Sequence, residues 1–190
     1  TDALTLTWQD KDGNSRSFNK EKMDAILQSL GKQSAEVVAI DRKAKKTYSP
    51  ALYDLTELQR DANKLFGYSA KETLNIMQKL YEQHKVLTYP RTDSRYLSSD
   101  IVSTIPERLK AIGGAEYSKL ANRIANKPIK ATKAFVDDSK VSDHHAIIPT
   151  EGYVNYAAFN DKERKIYDLV VKRFLAVLYP AHEFEQLTVH

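Results

Sequence analysis

The chain is organised around one segment, Val86-Leu87-Thr88-Tyr89-Pro90-Arg91-Thr92-Asp93-Ser94. Its first four residues are β-formers, which predicts a short strand over residues 86–92. Side chains on a strand alternate between its two faces, so Tyr89 and Arg91 are expected on one side and their neighbours on the other. Pro90 has no backbone N–H, which favours a strand at the edge of a sheet.

Tyr89 and Arg91 have side chains that can hold one phosphate between them. Arginine donates two parallel hydrogen bonds to a phosphate, and its positive charge favours a nearby phenolate over the phenol. An ordinary tyrosine has a pKa of about 10, so it needs such help before it attacks anything at neutral pH. Chemistry alone favours the simpler interpretation, an ordinary aromatic and basic pair on a surface strand.

Four motifs, in this order along the chain, resemble those of type IA DNA topoisomerases. Leu52–Gln59 resembles the start of that family's tyrosine domain, and Leu80-Tyr81-Glu82 resembles the helix end before its nucleophile. Leu87–Ser94 resembles the active-site tyrosine segment, and its Tyr-Pro-Arg form is similar to the topoisomerase III branch. Asp143–Thr150, which reads DHHAIIPT, resembles the family's downstream histidine motif.

The resemblance implies an isomerase that changes DNA topology through a covalent intermediate. Tyr89 would attack a DNA phosphodiester, releasing a 3′-hydroxyl and leaving a 5′-phosphotyrosyl link, and religation would need no ATP. Arg91 is placed to stabilise the charge of the transition state, and the family pattern gives His144 a similar role. His144 and His145 are adjacent in an extended segment, so they must point to opposite sides, and only one can reach the phosphate. We expect further contacts with single-stranded DNA from Gln59, Arg60, Arg91, Thr92 and Arg95.

The magnesium site that the resemblance implies is expected outside this chain. The family binds Mg²⁺ through the carboxylates of a separate Toprim domain. Asp10-Lys11-Asp12 has a D-x-D form, but it lies at a predicted hairpin turn rather than after a hydrophobic strand. We therefore expect no metal or cofactor in this chain, Mg²⁺ in the full-length enzyme, and little or no activity from the chain alone.

The composition is that of a globular, mildly basic protein. The 190 residues are 42% hydrophobic and 28% charged, with a net charge of +4, which is compatible with nucleic acid. There is no cysteine, which excludes disulfides and thiol catalysis and fits a reducing compartment. The resemblance implies a location in the bacterial cytoplasm, associated with the nucleoid. No apolar run approaches a membrane span, so no membrane partner is expected. The chain starts without methionine and ends in a strand-like segment, so we expect a piece of a longer polypeptide whose other domains are its partners.

Hydrophobic periodicity predicts an α+β fold: a mostly helical domain at 49–180, bearing the tyrosine, inserted into a small β-rich gate domain made of 1–48 and 181–190. In the gate domain we expect a hairpin at Leu4–Trp8, a helix from Asn19 to Gly31, a strand at Ala35–Ile40 and a basic connector after it. Helices are expected at Thr56–Phe66, Ala70–His84, Ser99–Ile112 (with a break at Pro106), Ala115–Ala125 and from Asn160 to Pro180. Phe184–Val189 is predicted to be a strand that returns to the N-terminal part of the chain.

Three other interpretations remain open from the sequence. The two helices before residue 86, followed by a strand, have the layout of a winged helix, a DNA-binding module without catalysis. That module needs a basic recognition helix, whereas Lys71 and Lys79 are balanced by Glu72 and Glu82. A tyrosine recombinase also uses Tyr, Arg and His, but its tyrosine comes last. A structural hinge, with DNA contacts made elsewhere, is the third.

Overall fold

The computed structural model describes residues 5–30, 36–114 and 116–190, and within these ranges the fold is α+β, as predicted. The helices are α1 (Lys20–Leu30), α2 (Leu55–Phe66), α3 (Ala70–Glu82), α4 (Ile105–Ile112), α5 (Ser118–Ala125) and α6 (Asp161–Leu178). The strands are β1 (Ile40–Thr47) and β2 (His182–Val189). Short 3₁₀ turns lie at Ser99–Thr104, Asp138–Lys140 and Tyr156–Ala158. None of the helices in these ranges is long and apolar enough to cross a membrane.

The chain divides into two compact units, Thr1–Ala44 with Glu185–His190, and Lys45–Phe184. The predicted domain boundaries at 48/49 and 180/181 concern the longer polypeptide, and they stay predictions.

β1 and β2 form a two-stranded sheet. Ala39 and His190 exchange backbone hydrogen bonds of 3.3 and 2.9 Å, and Arg42 pairs with Glu185 at 3.0 Å, so the strands are antiparallel. The pairing of the C-terminal strand with the N-terminal part of the chain is confirmed, but the predicted strand at 35–40 is wrong. β1 instead occupies the segment predicted to be a basic connector. Its Arg42 and Lys46 form ion pairs with Glu185 and Glu183 of β2, and such cross-strand pairs of opposite charge stabilise a sheet.

The unit that contains α1 differs most from the predictions. Residues 5–10 form no strand, so the predicted hairpin is wrong, although the Asp10 carboxylate closes a turn by accepting from Asn14 N at 2.8 Å. Asn19 caps α1 as predicted, accepting from Lys22 N at 3.0 Å. The predicted apolar face of α1 is not buried. Leu4, Gly31 and the start of the predicted 35–40 strand lie outside the described residues.

The second unit has a hydrophobic core around α3 and α6. α3 packs against α2 and α6, and α4 packs against α5. Met77, Leu80 and Phe174 are among the side chains with no exposed surface. Burial of such a side chain contributes about 1.5–3 kcal/mol, so these contacts fix the positions of the helices from which the site is built.

Helix ends in this unit follow local signals. Asn160 and Glu163 form a reciprocal capping box at the start of α6, and Gly67 ends α2 with φ of 72°. The helix predicted at 99–112 is a 3₁₀ turn followed by α4, since Pro106 occupies the first turn of α4, where a missing N–H is tolerated. α5 begins only at Ser118, and α3 ends at Glu82, earlier than predicted.

The segment after α3 is extended but forms only single bridges. Lys85 takes a positive φ of 55°, and Leu87 pairs antiparallel with Pro149. A longer ladder is blocked because Pro90 and Pro149 both lack an N–H. The predicted strand is therefore reduced to one bridge, and the winged-helix layout is not confirmed.

Candidate active site

Three aromatic rings stand in a row at the end of α3. The ring of Tyr89 meets Tyr81 edge-on, with centroids 5.5 Å apart. On its other side, the Tyr89 ring lies 4.2 Å from the imidazole of His144, with the planes inclined by 35°. The structure thus brings together two of the three residues that the sequence analysis assigned to catalysis.

Two threonines join the tyrosine segment to the histidine segment. The Thr92 hydroxyl donates to the carbonyl of His144 at 2.9 Å. Thr88 donates its N–H to Ile148 O at 3.0 Å, and its hydroxyl accepts from Ile148 N at the same distance. The predicted alternation holds: Thr92 and Pro90 are buried, whereas Arg91 is exposed and Tyr89 is half-buried. The inward side chains therefore fix the register that turns Tyr89 and Arg91 outward.

Arg91 is exposed and makes no hydrogen bond or ion pair with the residues that the structure describes. A guanidinium without a protein partner keeps all five donors available, and its planar fork matches the oxygens of a phosphate. Arg91 can therefore turn towards an anion beside Tyr89 without breaking a contact in the fold.

His145 faces away from the solvent, unlike His144. It is half-buried, and its Nδ1 lies 2.7 Å from the carbonyl of Ala146, to which it must donate. Burial lowers the pKa of His145 below its ordinary value of 6.5, and the nearby Arg108 lowers it further. The neutral imidazole serves the fold, which leaves the exposed His144 as the histidine that can reach a phosphate.

Arg108 on α4 supports the histidine segment from behind. Its side chain is only 5% exposed, and it donates to Pro149 O at 2.7 Å and to Thr104 Oγ1 at 2.8 Å, with Glu151 as ion partner at 2.8 Å. The sequence analysis missed this residue. A signal was present, because Arg108 falls on the same helical face as Ile105 and Leu109.

A second buried network anchors the other end of the same segment. The Tyr53 hydroxyl donates to Asp61 at 2.6 Å, and Arg173 donates to the same carboxylate at 2.8 Å. Tyr53 O accepts from Ile147 N at 2.8 Å. Burial raises the pKa of Tyr53, so this phenol stays protonated and structural. Tyr53, at the start of the motif Leu52–Gln59, therefore supports the histidine motif.

A family model described as "DNA topoisomerase" matches residues 2–190. This chain belongs to that family. DNA topoisomerase 3 of Bacillus anthracis is 77% identical over 189 residues, which cover 100% of this chain and 26% of the relative. DNA topoisomerase 3 of Bacillus subtilis (strain 168) is 55% identical over 189 residues, covering 99% of this chain and 26% of the relative. The resemblance to type IA enzymes of the topoisomerase III branch is confirmed, and the chain spans about a quarter of the length of these relatives.

Full-length topoisomerase I from Thermotoga maritima is a solved structure similar to this topoisomerase chain. The two share 25% sequence identity with a TM-score of 0.58, over 90% of this chain and 27% of the other.

The remaining predicted DNA contacts of this topoisomerase chain have partners within the fold. Gln59 donates to Ala70 O at 3.0 Å, Arg60 pairs with Glu57, and Arg95 lies 3.9 Å from the same carboxylate. Their contact with DNA stays a prediction. Thr92 is 6% exposed and its hydroxyl donates to the carbonyl of His144, and its predicted contact with DNA likewise stays a prediction.

The described residues of this topoisomerase chain do not fit the magnesium site of the family. Among residues 5–30, 36–114 and 116–190, no group of three or more His, Asp or Glu side chains is arranged to hold a metal ion. In the D-x-D sequence, the Asp10 carboxylate is occupied by Asp12 N at 3.0 Å and by the Asn14 side chain at 3.1 Å. This carboxylate therefore closes a turn.

Proposed function

We propose that the polypeptide containing this chain is a type IA topoisomerase that cleaves and rejoins one strand of DNA, with Tyr89 as its nucleophile. The observation that carries the proposal is the placement of the Tyr89 ring against His144, on the outward side of a segment that also presents Arg91, an exposed guanidinium without a partner among the described residues. Family membership supports the reaction class.

In the proposed reaction, the Tyr89 oxygen bonds to the phosphorus of a DNA phosphodiester and the bond from phosphorus to the 3′-oxygen breaks. The phenolic proton is lost, and the departing 3′-oxygen gains a proton to become a 3′-hydroxyl. One phosphodiester replaces another, so the reverse attack by the 3′-hydroxyl needs no ATP. Negative charge grows on the non-bridging oxygens in the transition state, where Arg91 and His144 would stabilise it.

The proposed substrate is single-stranded DNA. The partly exposed rings of Tyr81 and His144 beside the nucleophile suit unpaired bases, which stack on aromatic side chains. Mg²⁺ is proposed for the whole enzyme, held by carboxylates outside this chain, and the steps derived for Tyr89, Arg91 and His144 do not depend on where that ion binds. The proposed place of action is the bacterial cytoplasm, near the nucleoid, in line with the Bacillus origin of the relatives.

Covalent trapping on denaturing gels tests the proposal. The full-length enzyme, with this chain in place, is incubated with Mg²⁺ and an oligonucleotide labelled at either its 3′ or its 5′ end. A 5′-phosphotyrosyl link predicts that only the 3′-labelled fragment stays on the protein. Tyr89→Phe should abolish the adduct and leave noncovalent DNA binding nearly intact, since only one hydroxyl is lost. An adduct that persists in Tyr89→Phe would show that Tyr89 is not the nucleophile.

A further inference from the structure

A cavity of about 320 Å³ lies beside α6, and none of the residues assigned to the active site lines it. Its size is at the small end of the range for ligand pockets, about 300–1,000 Å³. The cavity therefore admits a single ring system and not a length of polymer.

Aromatic rings form much of the cavity lining. Tyr156 and Tyr167 meet edge-on with centroids 5.9 Å apart, and Phe159 packs behind both, at 5.8 and 5.3 Å. Tyr117 adds a third phenol to the lining. Flat aromatic walls favour a planar aromatic occupant, which gains both buried area and offset or edge-on contacts.

The cavity also contains an unsatisfied polar group. Tyr167 is 1% exposed, and its buried hydroxyl makes no hydrogen bond of ordinary geometry among the described residues. The neighbouring polar group is the Tyr156 hydroxyl, which donates to Ile112 O at 3.4 Å. The other neighbours of Tyr167 are already engaged: the Tyr117 hydroxyl donates to Asp168, whose other oxygen pairs with Lys172 at 2.7 Å. Burial raises the pKa of Tyr167, so the phenol stays neutral and can both donate and accept. A buried polar group without a partner is costly, so an occupant that bonds to it is favoured.

Four charged side chains complete the lining: the cations Arg164 and Lys165, and the carboxylates of Glu116 and Asp168. Arg164 and Lys165 are both exposed, and Arg164 donates to Tyr156 O at 3.1 Å, which leaves most of its donors available. An aromatic slot with a hydrogen-bonding group inside it and cations at the solvent side matches a flat heterocycle that carries a phosphate.

We propose that this cavity binds a nucleobase, with the base edge hydrogen-bonded to Tyr167 and the attached phosphate near Arg164 and Lys165. The base belongs either to single-stranded DNA or to a free nucleotide. Only the first of these sources rests on the proposed function, because a free nucleotide could bind whether or not the chain acts on DNA.

Ring resonances of the 190-residue chain, labelled with ¹³C at tyrosine, provide the test. The probes are deoxynucleoside monophosphates, a mixed-sequence ten-nucleotide single strand, and 2-deoxyribose 5-phosphate, which lacks a base. Tyr156 and Tyr167 signals should shift with the nucleotides, the single strand or both, and stay in place with the sugar phosphate. A response to the single strand alone identifies a DNA base, and a response to the monophosphates alone identifies a free nucleotide. The proposal would be overturned if neither the monophosphates nor the single strand moved the Tyr156 and Tyr167 signals. It would also be overturned if 2-deoxyribose 5-phosphate shifted these signals as much as the nucleotides do.

Tyr167→Phe tests the role of the hydroxyl without changing the shape of the cavity. It should weaken binding roughly five- to tenfold, the effect of one lost hydrogen bond, and should not lower the melting temperature. The matched control is Tyr153→Phe, because Tyr153 is 87% exposed and lies outside the cavity. This variant should change neither the binding affinity nor the melting temperature. Unchanged binding together with a lower melting temperature in Tyr167→Phe would assign the hydroxyl to the fold and refute the proposal.

Covalent trapping by the full-length enzyme separates this proposal from the proposed function. If the full-length enzyme forms its covalent adduct through Tyr89 but the Tyr156 and Tyr167 signals do not shift, only the cavity proposal is refuted. If the monophosphates shift these signals and the covalent adduct persists in Tyr89→Phe, the assignment of the nucleophile is refuted. The cavity proposal is then still supported.

Discussion

The imidazole of His144 rests on the ring of Tyr89, with centroids 4.2 Å apart, and the backbone carbonyl of the same histidine accepts a hydrogen bond from Thr92. The histidine is thus held twice by one short segment, once through its ring and once through its main chain. Since Thr92 is only three residues from Tyr89, any shift of the tyrosine segment moves both contacts together. Tyr89 and His144 therefore behave as one structural element.

Arg91→Ala should slow cleavage by the full-length enzyme without weakening the fold. Removing one group that stabilises the transition-state charge typically costs about 2.7–4 kcal/mol, or roughly 10²–10³-fold in rate. Arg91 has no partner among the described residues, so the melting temperature should stay unchanged. Single-turnover cleavage rates provide the measurement. Arg91→Lys keeps the charge but loses the planar fork, so its cleavage rate should lie between those of the wild type and Arg91→Ala. Cleavage by Arg91→Ala at the normal rate would exclude a role for Arg91.

Thr92→Val tests the link between the two segments. Valine keeps the shape of threonine but leaves the part-buried carbonyl of His144 without this donor, at a cost of about 0.5–1.5 kcal/mol in the free energy of unfolding, the usual range for one hydrogen bond. We expect slower cleavage as well, because His144 loses one of its two restraints. Urea denaturation and cleavage rates measure the two effects. Thr92→Ser retains the hydroxyl and should behave nearly as the wild type; equal losses in both variants would point to packing and not to the hydrogen bond.

Arg108→Met should destabilise the chain by about 1.5–3 kcal/mol, the usual range for hydrogen bonds made by a charged group. The carbonyl of Pro149 loses its donor, and with it the support behind the histidine segment. Glu151→Gln is the matched control: its side chain is 41% exposed and glutamine can still accept a hydrogen bond from Arg108, so this variant should lose less stability than Arg108→Met. Urea denaturation of the two variants measures the difference, and equal losses would mean that the ion pair matters more than the carbonyl bond.

His145 should make the stability of the chain depend on pH. Its pKa in the folded protein lies below the ordinary value near 6.5, so the unfolded chain binds the proton more readily. The contribution of neutral His145 to the free energy of unfolding is complete above about pH 6.5. It is lost as the pH falls from there through the pKa of His145 in the folded protein. Unfolding free energies measured between pH 5 and 8 should decline at the acid end. His145→Gln should flatten that decline, whereas His144→Gln, at the exposed neighbour, should retain it; a decline unchanged in His145→Gln would assign it to other groups.

Local signals in the sequence were sufficient to place several parts of the fold. Asn160 with Glu163 predicted the start of α6, and Gly67 predicted the end of α2, since caps and left-handed positions depend on neighbouring residues only. The position of β1 could not be found this way. Its strand depends on glutamates of β2 that lie more than a hundred residues later, and such pairing overrides local propensity.

The candidate site shows the same division. Tyr89, Arg91 and His144 were predictable from motifs, and the alternation of faces was predictable from strand geometry. The role of Thr92 was not, because it depends on a carbonyl 52 positions away in the chain. Arg108 and the group of Tyr53, Asp61 and Arg173 were missed for the same reason: their partners come together only when distant segments fold against each other.

The alternation between the inward side chains of Thr88 and Thr92 and the outward side chains of Tyr89 and Arg91 also limits how this segment can evolve. Inserting or deleting one residue between Thr88 and Thr92 would exchange the two faces, turning the phenol into the core and a hydroxyl towards the DNA. Most single substitutions change one contact, but a change of length alters every contact at once. The segment should therefore accept alternative residues at several positions while its length stays fixed.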